Sequence, residues 1–306
     1  MDFYTETSER PDLAALEVNL PEGYIGTKIY PVVNVAEKAG SVAYATVTAD
    51  ATAETGRVAG AAPLVTQVAN SATTWACTEI IKRAGVTPDE VKQMGGIEKA
   101  DAVGAKWSMR QVLKARELLI AAKVLGTADD TFDAAKLRTD MQTARQALRL
   151  YPGRTVLAAS TFTVNAMVQN IAAQAGVGAA FARIVTGVNA AEAAMGLSFE
   201  AWKRGLAMFL GVDDVLAGDD DIWNSGTYAG KFAIAKVDAT NDPLSHKYIP
   251  VIGKAFTFLP DGGGNGWEVQ SIGDRTLINN FYDAKLWVNV VELNAGAVYV
   301  FDGVQA

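Results

Sequence analysis

A chain of 306 residues and 32.3 kDa exceeds a single core of roughly 100 to 200 residues, so two lobes, or one long domain with extensions, are expected. Half of the residues are hydrophobic, 20% are charged and the mean hydropathy is +0.11, which supplies a sizeable core and excludes a largely disordered chain. A single cysteine, Cys77, excludes an intrachain disulfide, and with a single histidine, His246, it leaves no Cys/His zinc cluster; the net charge of −7 argues against a general polyanion binder.

No stretch reaches the roughly 18 apolar residues that span a bilayer, and MDFYTETSER carries acids where a signal peptide needs positive charge, so neither membrane insertion nor export by that route is expected. The charge is uneven. Residues 1 to 60 hold 9 acids and 4 bases, residues 61 to 150 hold 10 acids and 13 bases, and residues 151 to 306 hold 15 acids and 10 bases. Acidic outer segments around a basic middle suit solvated faces of one globule and equally a protein whose ends dock on neighbouring copies.

The first thirty residues, with Pro11, Pro21, Gly23 and Gly26 among polar runs, read as an extended arm. From Ile29 to Thr48, β-branched and aromatic residues broken at Lys38 to Ser41 predict a strand, a turn and a strand. Residues 49 to 63 are small and flexible in character, and strand character returns at Leu64, Val65 and Val68 and runs on from Thr73 to Ile81. Residues 29 to 81 are therefore expected to form a long hairpin with a Gly/Ala-rich tip, which needs another surface to pack on.

Thr87 and Pro88 open a predicted short helix over 87–95, and a long helix is predicted from Asp101 to Leu125, stopped by Gly126. Its apolar stripe is read as Trp107, Met109, Val112, Leu113, Leu118, Leu119, Ala122 and Leu125, and its other face as the basic residues Lys106, Arg110, Lys114, Arg116 and Lys123. A third helix is expected from Phe132 or Asp133 to about Leu150. Then come a buried strand over 154–159, a helix over 160–175, a strand-like run over 181–188, a helix over 197–211 and a strand over 212–218. This alternation predicts a compact α+β lobe, followed by a β-rich end in YIPVIGKAFTFL, WEVQSIG, KLWVNVVEL and AGAVYVF.

Catalytic constellations are scarce. His246 lies in NDPLSHKY, a polar turn where a surface or hydrogen-bonded role is expected, and Cys77 in TTWACTEI reads as a buried inert thiol. The glycines of GGGNG (262–266) lie between strands, as in a hairpin turn, and GVG (176–178) lacks the third glycine of a dinucleotide fingerprint. Asp219, Asp220 and Asp221 could hold a divalent cation, but acidic triplets are usually solvated, so no catalytic, cofactor-binding or metal residue is assigned.

The order of arm, projecting hairpin, long helix, α+β lobe and closing strands resembles the major capsid proteins of tailed bacteriophages, with the HK97-like capsid fold shared with encapsulins. The resemblance is carried by LRLYPGRTVLAASTFTVNAMVQN (148–170), by LAMFLGVDDVLAGDDDIWNSGTYAGKF (206–232) and by YDAKLWVNVVELNAGAVYVFDG (282–303). It implies an N-terminal arm over 1–28 and an extended loop over 29–81. It implies a peripheral lobe with a spine helix over 82–150, joined by strands from about 255–306, and an axial lobe over 151–254.

The function implied is self-assembly, through hexamers and pentamers, into an icosahedral head that encloses double-stranded DNA without sequence-specific binding. Such a protein would not be an enzyme and would need no cofactor. It would reside in the virion after assembly in the bacterial cytoplasm, with a portal, a separate scaffolding protein and a decoration protein as further partners. Lys38, Arg57, Lys106, Arg110, Lys114, Asp219, Asp220 and Asp221 are the candidate inter-subunit contacts. The rival readings are an encapsulin-like compartment shell and, more remotely, a divalent-dependent enzyme centred on Asp219 to Asp221.

Overall fold

The computed structural model describes residues 6–9, 11–14, 23–47, 69–174, 177–188, 198–238, 244–247, 249–259, 267–274 and 279–304. Its strands are β1 (Glu6–Glu9), β2 (Val32–Val35), β3 (Ala39–Thr46), β4 (Ala69–Ala76), β5 (Thr78–Val86), β6 (Asp130–Thr131), β7 (Arg154–Ser160), β8 (Asp214–Gly218), β9 (Phe232–Val237), β10 (Gly253–Phe258), β11 (Trp267–Asp274), β12 (Asn279–Glu292) and β13 (Val298–Asp302). Its helices are α1 (Pro11–Ala14), α2 (Gly26–Ile29), α3 (Pro88–Met94), α4 (Ile97–Val124), α5 (Leu137–Leu148), α6 (Thr161–Ala173), α7 (Val177–Val188), α8 (Phe199–Leu210) and α9 (Asp220–Trp223).

The strands build two large sheets and a ribbon. The first sheet is organised by β12. Its long run pairs with β5 along one edge, and with β11 and then β10 along the other. Beyond these lie β1, antiparallel to β11, and β2, parallel to β10. Tyr282, Ala284, Leu286 and Val288 alternate along β12 onto the face that packs with Ala105, Met109 and Val112 of α4.

The second sheet has the order β6-β13-β9-β7-β8, mixing parallel and antiparallel pairs. Leu157, Ala159, Phe232, Ile234 and Phe301 face a cluster built with α5, α6, α7 and α8. Val156, Ala158, Ala233, Ala235 and Val300 face a second cluster that holds Ile120 and Val124 of α4. The last strand of the chain thus pairs in this sheet, apart from the other C-terminal strands with which its sequence groups it.

The ribbon pairs β3 with β4 from Ala39↔Ala76 to Thr46↔Ala69 and packs through Val42 and Trp75 on Phe256 and Val291. The Trp75 and Phe256 rings stack at 5.5 Å. The hairpin tip expected over 49–63, and the strand character at Leu64, Val65 and Val68, lie outside the described residues. Residues at either end of the predicted hairpin serve other partners, since β2 pairs with β10 and β5 with β12.

Several sequence expectations need correction. The run over 181–188 is helical within α7, because Phe181 and Val185, four residues apart, share a buried face against α8. Phe181 contacts the rings of Trp202 and Phe209 at 5.9 and 5.2 Å. The third helix begins at Leu137, since Asp133 spends its carboxylate on a turn, where Oδ1 accepts from Ala135 N at 2.9 Å. The arm is regular in part: β1 joins the first sheet and Leu13 of α1 is buried in that core. The short-helix expectation agrees in detail, with Thr87 and Glu90 forming a reciprocal cap around Pro88.

Candidate interaction surface

α4 crosses from one core to the other, and its two long sides differ. In its first half Ala105, Met109 and Val112 are buried against β12, whereas Lys99, Val103, Lys106, Trp107 and Arg110 are exposed. Spacings of three and four place these five on one face, a basic stripe with an apolar centre. Trp107 is 52% exposed and Val103 47%, so Trp107 leaves the core stripe expected for it, as does Leu119 at 41%. Arg116 makes the opposite move. It is buried rather than on the basic face, and among the described residues its Nε has no hydrogen-bond partner. The helix starts four residues earlier than expected, and this adds Lys99 and Ile97 to the exposed side.

The other expected contact residues scatter. Lys38, in the turn before β3, lies over the Phe258 and Trp287 rings at 5.4 and 5.1 Å, a cation–π position on the face of the first sheet turned away from α4. Arg57 is outside the described residues. Lys114 is half-buried and its Nζ lies 3.6 Å from Asp221 Oδ2. Lys106 and Arg110 remain solvent-facing.

The carboxylates of the acidic triplet diverge to separate partners. Asp219 caps α9 by accepting from Asp221 N at 2.9 Å, and Asp220 Oδ1 accepts from Phe162 N at 2.7 Å in the first turn of α6. Among the described residues no group of three or more His, Cys, Asp or Glu side chains is placed to hold a metal ion. Of the two roles expected for it, the surface one is excluded for His246, which is buried, edge-on to Phe256 with ring centroids 6.5 Å apart. Cys77 is half-buried, and burial pushes its thiol up, away from the reactive thiolate.

Sequence reasoning did not find the polar node at Glu117. Its Oε1 accepts from Gly26 N at 2.6 Å and from Trp223 Nε1 at 3.0 Å, tying α2, α4 and α9 together inside the protein. Burial pushes this carboxyl up, against the opposing pull of those two donors and the Arg116 guanidinium. A side chain on Gly26 would place its Cβ 2.5 Å from Glu117 Oε2, so only glycine allows the approach. A second buried node joins Lys254 Nζ to Ser245 Oγ at 3.0 Å and to Asp238 Oδ2 at 3.3 Å, with Ser245 also donating to Asp238. Both nodes tie together elements distant in sequence through buried polar groups, as cross-braces do.

This architecture has solved counterparts. The structure of a phage-related protein from Bordetella bronchiseptica is similar over 97% of both chains, with a TM-score of 0.64 and 14% identity. The capsid of Ralstonia phage GP4 covers 96% of this chain and 94% of its own, with a TM-score of 0.54 and 12% identity. The capsid of a native GTA particle covers 95% and 93%, with a TM-score of 0.53 and 12% identity. No protein-family model and no curated protein matches the chain in sequence. The chain therefore has the α+β fold of these capsid proteins, as the order of its segments implied. Among the described residues, no helix is long and apolar enough to cross a membrane.

Proposed function

We propose that the chain is a major capsid protein whose copies assemble into the icosahedral head of a tailed bacteriophage around double-stranded DNA. The observation that carries this reading is fold agreement over at least 95% of the chain with the GP4 and GTA capsids. A protein of this kind works by presenting surfaces, and stability comes from many modest contacts repeated by symmetry, with no reaction to catalyse. In this reading residues 1–28 are the arm, 29–81 the extended loop, 82–150 with the C-terminal strands as far as β12 the peripheral lobe, and 151–254 with β13 the axial lobe. Hexamers and pentamers of the chain are the building units, and scaffolding, portal and decoration proteins are its expected partners. An acidic chain suits the task, because a shell must hold DNA without gripping it.

Expression of the chain followed by negative-stain microscopy tests the reading directly. Closed shells of uniform size are expected, alone or with a scaffolding protein supplied; a monomer under all such conditions overturns it. Shells filled with a protein cargo instead of DNA would favour a storage compartment. Deleting residues 49–63 is expected to leave a folded subunit that assembles poorly, and normal shells from that variant would remove the loop from assembly.

A further inference from the structure

We propose that neighbouring copies meet head to tail, the exposed face of α4 around Trp107 on one copy seating on an acidic corner formed by Asp129, Asp130, Asp133 and Asp140 of the next. The proposal rests on the shell-forming reading and adds the pair of surfaces through which copies join.

The first surface is built like the centre of an interface. Trp107 and Val103 are about half exposed, and Lys99, Lys106 and Arg110 surround them. None of these three bases has an ion-pair partner among the described residues. Tryptophan and arginine are the residue types that anchor protein interfaces once water is excluded from around them. The stripe itself carries no acid, since Asp101 turns inward to accept from the Tyr282 hydroxyl. Its partner must therefore be acidic.

The second surface supplies that charge. Asp129 and Asp130 are exposed and Asp133 is half-buried, at the edge of the second sheet where β6 meets β13. Behind them Asp140 is 8% exposed, and among the described residues its Oδ2 has no hydrogen-bond partner. Burial pushes the Asp140 carboxyl up, against the backbone N–H of Asp133 that donates to it, and the charges of Asp130 and Asp133 add to the upward push. The Tyr299 hydroxyl beside them is pushed up by burial and by Asp130, Asp129 and Asp140. Lys136 Nζ, 3.4 Å from Asp133 Oδ2, offsets part of this charge. A buried carboxylate oxygen without a donor among like charges marks a place where an incoming guanidinium or ammonium is favourable.

The relation between the surfaces sets the symmetry. Trp107 and Val124 are separated by about 25 Å along the helix at 1.5 Å per residue, and the acidic corner lies just past the helix end. The two patches are different surfaces of opposite charge, so a head-to-tail contact opposes base to acid once per neighbour, and with rotation it closes into rings.

Two charge-reversed variants decide it. Lys106→Glu/Arg110→Glu makes the helix face acidic, and Asp130→Lys/Asp133→Lys makes the corner basic. Each alone is expected to stay folded by circular dichroism and to lose particles by sedimentation and microscopy. An equal mixture is expected to recover association as alternating dimers and even-membered rings, because both contacts then pair opposite charges, while rings of five cannot alternate. Assembly of either variant alone at the wild-type level, or a mixture of folded variants that stays monomeric, overturns the proposal. If the corner reversal unfolds, Asp130→Asn/Asp133→Asn replaces it; lost particles support the contact, and an unchanged yield overturns it. Trp107→Ala is likewise expected to lose particles. If the wild-type chain forms none under any condition, the shell reading fails. Sedimentation of the mixture then still decides the contact, a dimer absent from either variant alone supporting it and monomers overturning it.

Discussion

The two large sheets share α4 and yet are built on different terms. In the second sheet β7 is buried from Val156 to Ser160, and both faces are covered, one by α5 to α8 and the other by α2, α9 and the end of α4. In the first sheet the face beneath α4 is sealed along β12, whereas the opposite face is covered only in part, where the ribbon packs on Phe256 and Val291. Its other face carries the Arg83–Asp283 pair, Lys38 over two aromatic rings, and Ile81 at 47% exposure. A strand buried on both sides reads as an unbroken apolar run, whereas a one-sided strand alternates. The physical lesson is a division of labour, in which the twice-covered sheet supplies stability and the half-covered sheet supplies surface.

The sharpest way to break that comparison is to remove one large side chain from each region. Trp223 is fully buried and donates to Glu117, so Trp223→Ala is expected to cost about 3–5 kcal/mol, with a further contribution from the carboxylate left short of a donor. Trp287 lies on the less covered face of β12, at 8% exposure beneath Lys38, and Trp287→Ala should cost roughly half as much. Urea denaturation of both variants measures the difference. Equal losses would show the two regions to be equally packed.

Glu117 offers a pH-dependent version of the same test. Its carboxyl titrates higher in the folded chain than in the unfolded one, because burial outweighs its hydrogen bonds. The folded state therefore holds the extra proton between those two values. The associated stability is fully present below the unfolded value and is lost as pH rises through the folded one. Glu117→Gln keeps an oxygen for Gly26 N and Trp223 Nε1 but cannot ionise, so its stability profile is expected to be flatter over that window. Parallel melting-temperature profiles for variant and wild type would place the carboxyl outside the core energetics.

What was legible in the sequence follows from how local the determining contact is. The cap at Thr87, the end of α5 near Leu148 and the buried run over 154–159 depend on neighbours in sequence, and all three are where the residues place them. The α7 segment FARIVTGV has strand-forming residues, and only α8 packed beside it decides for helix. Trp107 and Arg116 exchanged environments for the same reason. Side-chain type predicts average burial, whereas the register of α4 is set jointly by β12 and by Glu117, whose partners are 91 and 106 residues away. The stripe of basic residues was visible as composition, but its apolar centre was not.

A smaller effect is expected at the exposed face of the first sheet. Arg83 grips Asp283 through two bonds of 2.7 Å, Nε to Oδ1 and Nη2 to Oδ2, and its guanidinium lies 5.5 Å from the Phe281 ring. Asp283 is 6% exposed and Arg83 is far more open, so solvent screens one partner and not the other. Arg83→Ala should cost about 1 kcal/mol, and Arg83→Lys most of that, because an ammonium cannot reproduce the two-pronged geometry. A loss of the size measured for Trp223→Ala would mean that this face is covered after all.

The least change is expected where charge density first drew attention. Two carboxylates of the triplet use one oxygen each for a job that an asparagine side chain can also do: Asp219 accepts from Asp221 N, and Asp220 accepts from Phe162 N. Asp221 faces Lys114 at 3.6 Å and is largely exposed, a pairing that contributes at most about 1 kcal/mol. Converting all three to asparagine therefore removes charge while keeping the acceptors. The isolated subunit should lose no more than about 1 kcal/mol, mainly from weaker attraction to the start of α6. If copies crowd this loop around a symmetry axis, the same variant should make shells at least as stable at low salt, where like-charge repulsion is least screened. Thermal melting of the subunit and of the shells at two ionic strengths separates these effects. Collapse of the subunit would show that the charges themselves, and not their hydrogen bonds, hold α6 and α9 in place.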